Sequence, residues 1–467
     1  MVLVGQSFTV VGGGLTGPLL AIALARLGAR VEVFDRRDDP RTGPVESGRS
    51  INLALAEKGL AVLRGLGLEQ EALADCCVPM RGRMVHRAGT RPDFVPYGRG
   101  RALHAVSRLR LNRFLLDRAE AEPGVRLRFG QRCVGVDPAT ATTTFRDTRT
   151  GRFTVCYADA VVGADGTGSV VRDRLVRGRP VDYQQRAAGH RYLELRLPAG
   201  PAGEYRLEPG ALHVWPRGEH MMFALPNPDG SFNLVLVLPA SGPASFGTLT
   251  APGEAEEFLA SWYPDVASLL PTAGQRMRAV RSSPLVAVST SAWLVADRVV
   301  LVGDACHTVL PFYGQGLNAG FEDCAVLVAA LAETGGDRAG AFSRYAAARR
   351  PHTDVLAELS ERNFEELRDL VGRPWTLAER RVQTWLEQVL GERAAGLYTL
   401  VVHTRLPYAD CVATARRRRR TARWCGLDAV VAVVAGWEWL RGRLPPAWGR
   451  WPQLRLAAVA AADQGVG

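Results

Sequence analysis

The feature that most constrains this chain is Gly12-x-Gly14-x-x-Gly17, set between an apolar run at 8–11 and an apolar helical pattern at 19–27. A second apolar run at 31–34 ends on Asp35. Strand, glycine turn, helix and strand within about 30 residues make a βαβ unit, the opening half of a Rossmann-type sheet. The glycines allow a tight turn and a close approach of backbone to ligand. The helix N-terminus faces a pyrophosphate, and the Asp35 carboxylate can accept bonds from a ribose diol. The motif asks for a dinucleotide and leaves FAD and NAD unseparated, because both present ribose and pyrophosphate to it.

Further along, helical spacing at 108–120 is followed by strands at 125–129 and 160–162. Between 182 and 292 the texture changes to alternating segments at 191–197, 212–215, 221–225 and 232–238, separated by Pro, Gly and Asn. Such alternation reads as a mainly antiparallel sheet. A strand at 299–302 and a helix at 317–331 return to the α/β pattern, and beyond 336 the chain reads as helices broken at 372–374 and 391. The expected class is α/β with α+β insertions. A Rossmann-like FAD or NAD domain spans 1–181, with 76–99 contributing to the substrate side. An antiparallel substrate domain follows at 182–294, the first domain resumes at 295–360, and a helical cap covers 361–467.

Composition narrows the partners. The 467 residues, 47% of them apolar, are enough for a large globular core. A net charge of +11 raises the question of nucleic acid, but Lys58 is the only lysine. A positive charge made almost wholly of arginine points to coding bias and not to a built basic surface, so no nucleic-acid partner is expected. The cysteines, Cys76, Cys77, Cys133, Cys156, Cys306, Cys324, Cys411 and Cys425, form no C-x-x-C pair. Free thiols, no metal and a reducing cytoplasm follow. Arg416–Arg420 precedes Trp424, an apolar stretch at 427–435, and Trp437 and Trp439. That stretch is interrupted by Asp428 and falls well short of the roughly 20 residues a bilayer span needs. It reads as part of a soluble helical cap, with peripheral membrane contact and a homodimer left open.

Two further signals accompany the glycine turn. ADAVVGADGTGSVVR (158–172) places Asp165-Gly166 after a strand, and LVGDACHTVLPFYGQGLNAGFEDC (301–324) places Asp304 at a strand end, followed by a Pro- and Gly-rich loop and a helix start. In this order the three segments resemble the signatures of the single-component FAD-dependent aromatic hydroxylases, the group that includes para-hydroxybenzoate hydroxylase. The resemblance implies bound FAD, NADPH as a transient cosubstrate, and O2. It places Gly12, Gly14, Gly17, Asp35, Arg37, Ala54, Arg108, Asp165, Gly166, Asp304, Gly316, Leu317 and Asn318 around the cofactor.

GRSINLALAEKG (48–59), PMRGRMVHRAG (79–89), VPYGRG (95–100), HVWPRGEHMMFALPN (213–227) and LSERNFEELR (359–368) are similar to the kynurenine-hydroxylating members of that group. By that likeness Arg83 grips the carboxylate of a small aromatic amino acid, a role suited to a planar fork that binds two oxygens. Tyr97 shares the carboxylate, while Asn363 and Tyr398 contact the substrate from the helical cap. Glu366, one turn from Asn363, lies on the same face and stabilises the amino group or holds the pocket. Phe312 and Gln315 wall the ring. Each residue also has a bland reading: a surface arginine for Arg83, core filling for Tyr398, a helix cap for Arg108.

The ring of such a substrate is activated by its own amine, so the pocket has to orient it and exclude water more than supply a base, and no catalytic side chain is assigned. His307 competes as a proton carrier and as a backbone tether. A halogenase reading needs a catalytic lysine and a Trp-x-Trp-x-Ile-Pro segment, and Lys58 and Trp437-Glu438-Trp439-Leu440 supply neither. A related kynurenine- or anthranilate-type substrate and a non-catalytic flavin-binding protein remain the alternatives.

Overall fold

Strand Ser7–Val11 is buried at four of its five positions, Thr9 included, without alternation, as a parallel strand covered on both faces must be. It lies inside a six-stranded sheet in the order Leu294–Val295, Val299–Leu301, Ala160–Gly163, Ser7–Val11, Arg30–Phe34, Val125–Arg128. All pairs are parallel except the first. Val11 pairs with Gly163, and Gly163 with Leu301, so these three strands end at one level. The structure, a computed structural model, describes residues 2–43, 52–98, 100–177, 179–251, 253–279, 281–369, 374–424, 431–433 and 436. The motif residues 48–51, Arg99, most of the stretch 427–435, Trp437 and Trp439 lie outside them.

The second sheet has eight strands: His307–Thr308, Ser283–Thr290, Tyr183–Leu197, Phe232–Pro239, His220–Pro226, Ala211–Arg217, Gly82–Val85 and Asp93–Pro96, in that order. The last two come from the first third of the chain, and Gly82–Val85 joins Ala211–Arg217 in parallel. Register separates the two faces. Arg83 lies opposite Leu212, Met221 opposite Val237 and Phe223 opposite Val235, which puts these side chains on one face. There Met221, Val235 and Val237 pack with Phe312 and Phe364. The other face carries Trp215, Met222, Leu234 and Leu236.

That second face explains an addition to the mainly antiparallel sheet expected there. Helices Glu254–Trp262, Pro264–Leu269 and Ala273–Ala279 interrupt the sheet segment and bury Phe258, Leu259, Val266 and Met277 against it. They are too short for their period to stand out in sequence. Two small sheets also went unread: Gln131–Asp137 with Thr142–Asp147 and Phe153–Tyr157, and Leu103–Ser107 between Asn52–Leu55 and Cys77–Met80. The helices Thr16–Arg26, Arg108–Glu120 and Gly316–Glu333 stand close to where the apolar period puts them.

The chain divides into two compact units, 1–371 with 396–415, and 372–395 with 416–467. Every candidate site residue belongs to the first. In the second, two members of the arginine run have internal partners: Arg418 donates to the Ala395 carbonyl at 2.8 Å, and Arg419 pairs with Glu379 at 2.6 Å. Among the described residues no helix is long and apolar enough to cross a membrane.

Candidate active site

Because Val11, Gly163 and Leu301 end neighbouring parallel strands, the glycine turn, Asp165 and Asp304 emerge beyond one sheet edge, where open α/β sheets bind ligands. Gly12 has φ +116°, and a Cβ there would press into the backbone of Ala164 and Asp165. A Cβ on Gly17 would strike the carbonyl oxygen of Gly12. A Cβ on Gly14 would meet nothing within 4 Å, so at that position the backbone is open to a ligand. Asn112 Nδ2 donates to the carbonyls of Gly13 at 2.9 Å and Gly14 at 2.7 Å, fixing the loop from behind. Sequence reasoning missed Asn112; its signal was an amide inside an otherwise well-formed helix.

Two carboxylates of this cradle, Asp35 and Asp165, are held by the protein itself. Asp35 accepts from Gly13 N at 2.8 Å and from Arg37 N at 2.8 Å, with the Arg37 guanidinium also at 2.8 Å. Burial works against its charge, but Arg37 and Gly13 prevail and hold it below the usual carboxylate range. Asp165 accepts from Val170 N at 2.7 Å, Val171 N at 3.2 Å and the Ser169 hydroxyl, capping helix Val170–Val176 just behind Gly12. Burial pushes it upward. Its carboxylate thus shapes the turn at Gly166, whereas the sequence reading places it on the cofactor. Asp304 lies in the turn Gly303–Ala305, also pushed upward by burial and opposed by Arg108, which is exposed at the start of its helix.

Asn318 draws the remaining cradle residues together. Its Nδ2 donates to the carbonyls of Ala54 and Gly314, both at 2.9 Å, and its Oδ1 accepts from Ala56 N at 2.8 Å. Gly316 and Leu317 open helix Gly316–Glu333, whose first N–H groups are directed at the same region. Open backbone at Gly14, two helix N-termini and the carboxylates Asp35 and Asp304 form the donor and acceptor set that the ribose, pyrophosphate and ribityl chain of FAD require.

Beneath this loop is a buried charge network. His307 Nε2 lies 2.5 Å from Asp323 Oδ2, and Arg349 Nε donates to Asp323 Oδ1 at 2.8 Å. Burial opposes the His307 charge, yet Asp323 holds the imidazole well above its usual range, while His307 and Arg349 bring Asp323 down to about 2 against burial. Cys306, His307 and Asp323 offer donor atoms within 4.8 Å of one another. The Asp323 oxygens are already taken by His307, Arg349 and Gly303 N, the last at 2.9 Å. The arrangement pins the Gly303–Thr308 turn to the following helices, in line with a tether and not a proton carrier.

On the sheet face that carries Arg83 the substrate candidates separate into two groups. The Arg83 guanidinium carbon sits 4.1 Å from the centre of the Tyr398 ring and 6.0 Å from that of Tyr97. The two tyrosine rings stack at 6.1 Å, and Tyr313 lies 5.8 Å from Tyr398. Arg83 Nε and Tyr97 Oη are buried with no hydrogen-bond partner. Nearby, Phe312 stacks on Phe364 at 4.3 Å, and Asn363 Nδ2 donates to the Phe312 carbonyl at 2.7 Å. Gln315 is fully buried and accepts from the Tyr408 hydroxyl at 3.2 Å. Asn363 and Gln315 therefore brace the loop walls. Asn363 is buried, whereas Glu366, one turn further on, is exposed.

Tyr313, His403 and Lys58 escaped the sequence reading. Lys58 is 1% exposed and donates to the carbonyls of Val401 at 3.0 Å and Thr404 at 2.8 Å, with its Nζ 4.8 Å from the Tyr408 ring centre. It thereby holds the C-terminal end of helix Leu397–His403, the element that carries Tyr398. Burial draws its amine below the usual lysine range, with Glu322 opposing. The only lysine of an arginine-rich chain was the available signal, visible in the composition but carrying no position-specific meaning there.

Over residues 6–360 the chain matches the family described as FAD binding domain. A kynurenine 3-monooxygenase of Salinispora arenicola is 43% identical over 433 residues, 92% of this chain and 94% of that protein. A kynurenine 3-monooxygenase of Myxococcus xanthus is 40% identical over 405 residues, 86% of this chain and 87% of that protein. Among solved structures, the tetrameric form of 2-methyl-3-hydroxypyridine-5-carboxylic acid oxygenase aligns with a TM-score of 0.64 at 23% identity, covering 79% of this chain and 93% of that one, a likeness of fold. With an FAD-binding match over most of its length and relatives aligned nearly end to end, the chain belongs to the kynurenine 3-monooxygenase family of FAD-dependent aromatic hydroxylases.

Proposed function

We propose that this protein hydroxylates L-kynurenine at the ring 3-position, consuming NADPH and O2. The observation that carries the reading is the box of Arg83, Tyr97 and Tyr398, with unpartnered buried polar atoms, on the same sheet face as the apolar wall of Phe312, Phe364, Met221 and Val235. A polar box at one end and an apolar wall at the other suit the charged head group and the ring of an aromatic amino acid. Bound FAD, once reduced by NADPH, supplies the activation of O2.

The cradle for that cofactor is Gly12, Gly14, Gly17, Asp35, Ala54, Asp304, Gly316, Leu317 and Asn318, with Arg37, Arg108, Asp165 and Gly166 supporting it. Arg83 and Tyr97 bind the carboxylate, and the Tyr398 ring covers the guanidinium. Phe312 and Phe364 orient the ring and exclude water, and Asn363 and Gln315 hold the loop that carries Phe312. The ring amine of the substrate supplies the electron density, so no side chain is required as base. The cytoplasm is the compartment that suits free thiols.

The test is to purify the protein and follow NADPH consumption with and without L-kynurenine, identifying the product by mass. Stimulated consumption with a product one oxygen heavier is the expected outcome. Stimulation by anthranilate, which has no amino-acid head group, in place of L-kynurenine would overturn the reading.

A further inference from the structure

Seven buried side-chain polar atoms among the described residues have no hydrogen-bond partner, and three of them, Arg83 Nε, Tyr97 Oη and His403 Nε2, share one aromatic box. His403 ends helix Leu397–His403. Its ring lies 5.2 Å from Tyr97 and 6.2 Å from Tyr398, whose own ring covers Arg83 at 4.1 Å. Buried polar atoms are nearly always satisfied, so three orphans in one place indicate a polar ligand that meets them together. The three atoms differ in chemistry. Arg83 Nε can only donate, and the Tyr97 hydroxyl donates readily to an anion, whereas an imidazole nitrogen can also accept.

An α-amino-acid head group carries both signs and needs both kinds of partner. Arg83 and Tyr97 answer the carboxylate, and the ammonium is left without an acceptor. We propose that His403 is a specificity-determining residue that accepts a hydrogen bond from the substrate's α-ammonium group at Nε2, in the tautomer that carries its proton on Nδ1. This inference rests on the reading of the site as one for an aromatic amino acid. Burial, joined by the Arg101 and Arg83 guanidinium groups, pushes His403 down to about 3, so the imidazole is neutral and its lone pair is available. The Lys58 clamp on the Val401 and Thr404 carbonyls holds the end of the helix where His403 sits.

The test compares L-kynurenine with 4-(2-aminophenyl)-4-oxobutanoate, which keeps the ring and the carboxylate and lacks the α-amino group. Binding to the FAD-loaded protein is read from the perturbation of the flavin absorbance, and NADPH consumption is followed in parallel. His403→Phe keeps an aromatic ring in the box and removes the acceptor. It should weaken L-kynurenine on the order of tenfold or more, as loss of a hydrogen bond to a charged group does, and leave the desamino compound unchanged. His403→Gln, which restores a carbonyl acceptor, should recover most of the loss. Equal weakening of both compounds, or of neither, would overturn the assignment, because a packing role does not distinguish them. An unsubstituted protein that ignores L-kynurenine would instead overturn the functional reading on which the assignment stands, and the two failures are thus told apart.

Discussion

The cofactor cradle and the head-group box lie in the same unit and are built on opposite principles. In the cradle three side chains are tied within the protein: Asp35 to Gly13 and Arg37, Asp165 to its helix, and Asn318 to Ala54, Ala56 and Gly314. In the box Arg83, Tyr97 and His403 keep buried polar atoms without partners. A site that offers mainly backbone can be complete before its ligand arrives, whereas a site that reads a head group with side chains keeps unsatisfied atoms until the ligand supplies the missing half. Cofactor binding should therefore tolerate changes in the box, and substrate binding should be lost without loss of the flavin.

The largest break in that contrast is expected at Gly17. Since a Cβ there runs into the Gly12 carbonyl, Gly17→Val should abolish bound flavin altogether, read as the ratio of flavin to protein absorbance in the purified protein. Retention of stoichiometric FAD would show that the turn is not the cofactor's seat.

Next comes the network below the loop. Asp323→Asn leaves His307 buried without its anion and Arg349 with Glu322 alone, and breaking a buried pair in this way costs about 3–5 kcal/mol. The pH dependence has a definite sign. Asp323 is held below its ordinary 3.8, so its share of stability is present above 3.8 and fades as pH falls toward about 2. His307 is held above its ordinary 6.5, so its share is full below 6.5 and is lost only as pH rises through that raised value. Urea unfolding of both proteins should show the widest gap between pH 4 and 6.5, narrowing on further acidification. A gap that widened in acid would contradict the ion pair.

Arg83→Ala tests the box directly. Removing one partner of a buried charge pair should weaken L-kynurenine roughly 30- to 1000-fold, measured by flavin-absorbance titration, with bound FAD intact. Release of FAD by this variant would erase the distinction between the two regions.

The mildest change sharpens the contrast. Lys58→Met withdraws the donor from the Val401 and Thr404 carbonyls and frees the end of the Tyr398 helix. We expect KM for L-kynurenine to rise about tenfold, with kcat and flavin content little altered, as leaving such acceptors unpaired costs about 1–3 kcal/mol. A fall in kcat at unchanged KM would move Lys58 from head-group positioning to the oxygen-transfer step.

Much of the cradle was legible because its information is local. A glycine turn between a strand and a helix, and aspartates at strand ends, are set by neighbours within a few residues, and Gly12, Gly14, Asp35 and Asp304 stand in the turns and at the strand ends that the pattern predicts. Asp165 shows the limit. Its position at a strand end was readable, while the capping of helix Val170–Val176 by its carboxylate was not. The helices at 254–279 were hidden for a different reason: each is short, and the sheet face that makes their apolar residues useful comes from strands remote in sequence.

The sequence alone determined the Rossmann opening, the order of strand-end aspartates and a segment carrying Arg83 and Tyr97, since these depend on backbone geometry and on residue types at fixed spacing. Tertiary structure decided which polar groups are satisfied and which are left waiting. Lys58 meets Val401, Asn363 meets Phe312, and His403 meets the Tyr97 ring only because elements tens to hundreds of residues apart pack together. Hydrogen-bond satisfaction is a property of contacts, and contacts between distant segments are not written in any local pattern.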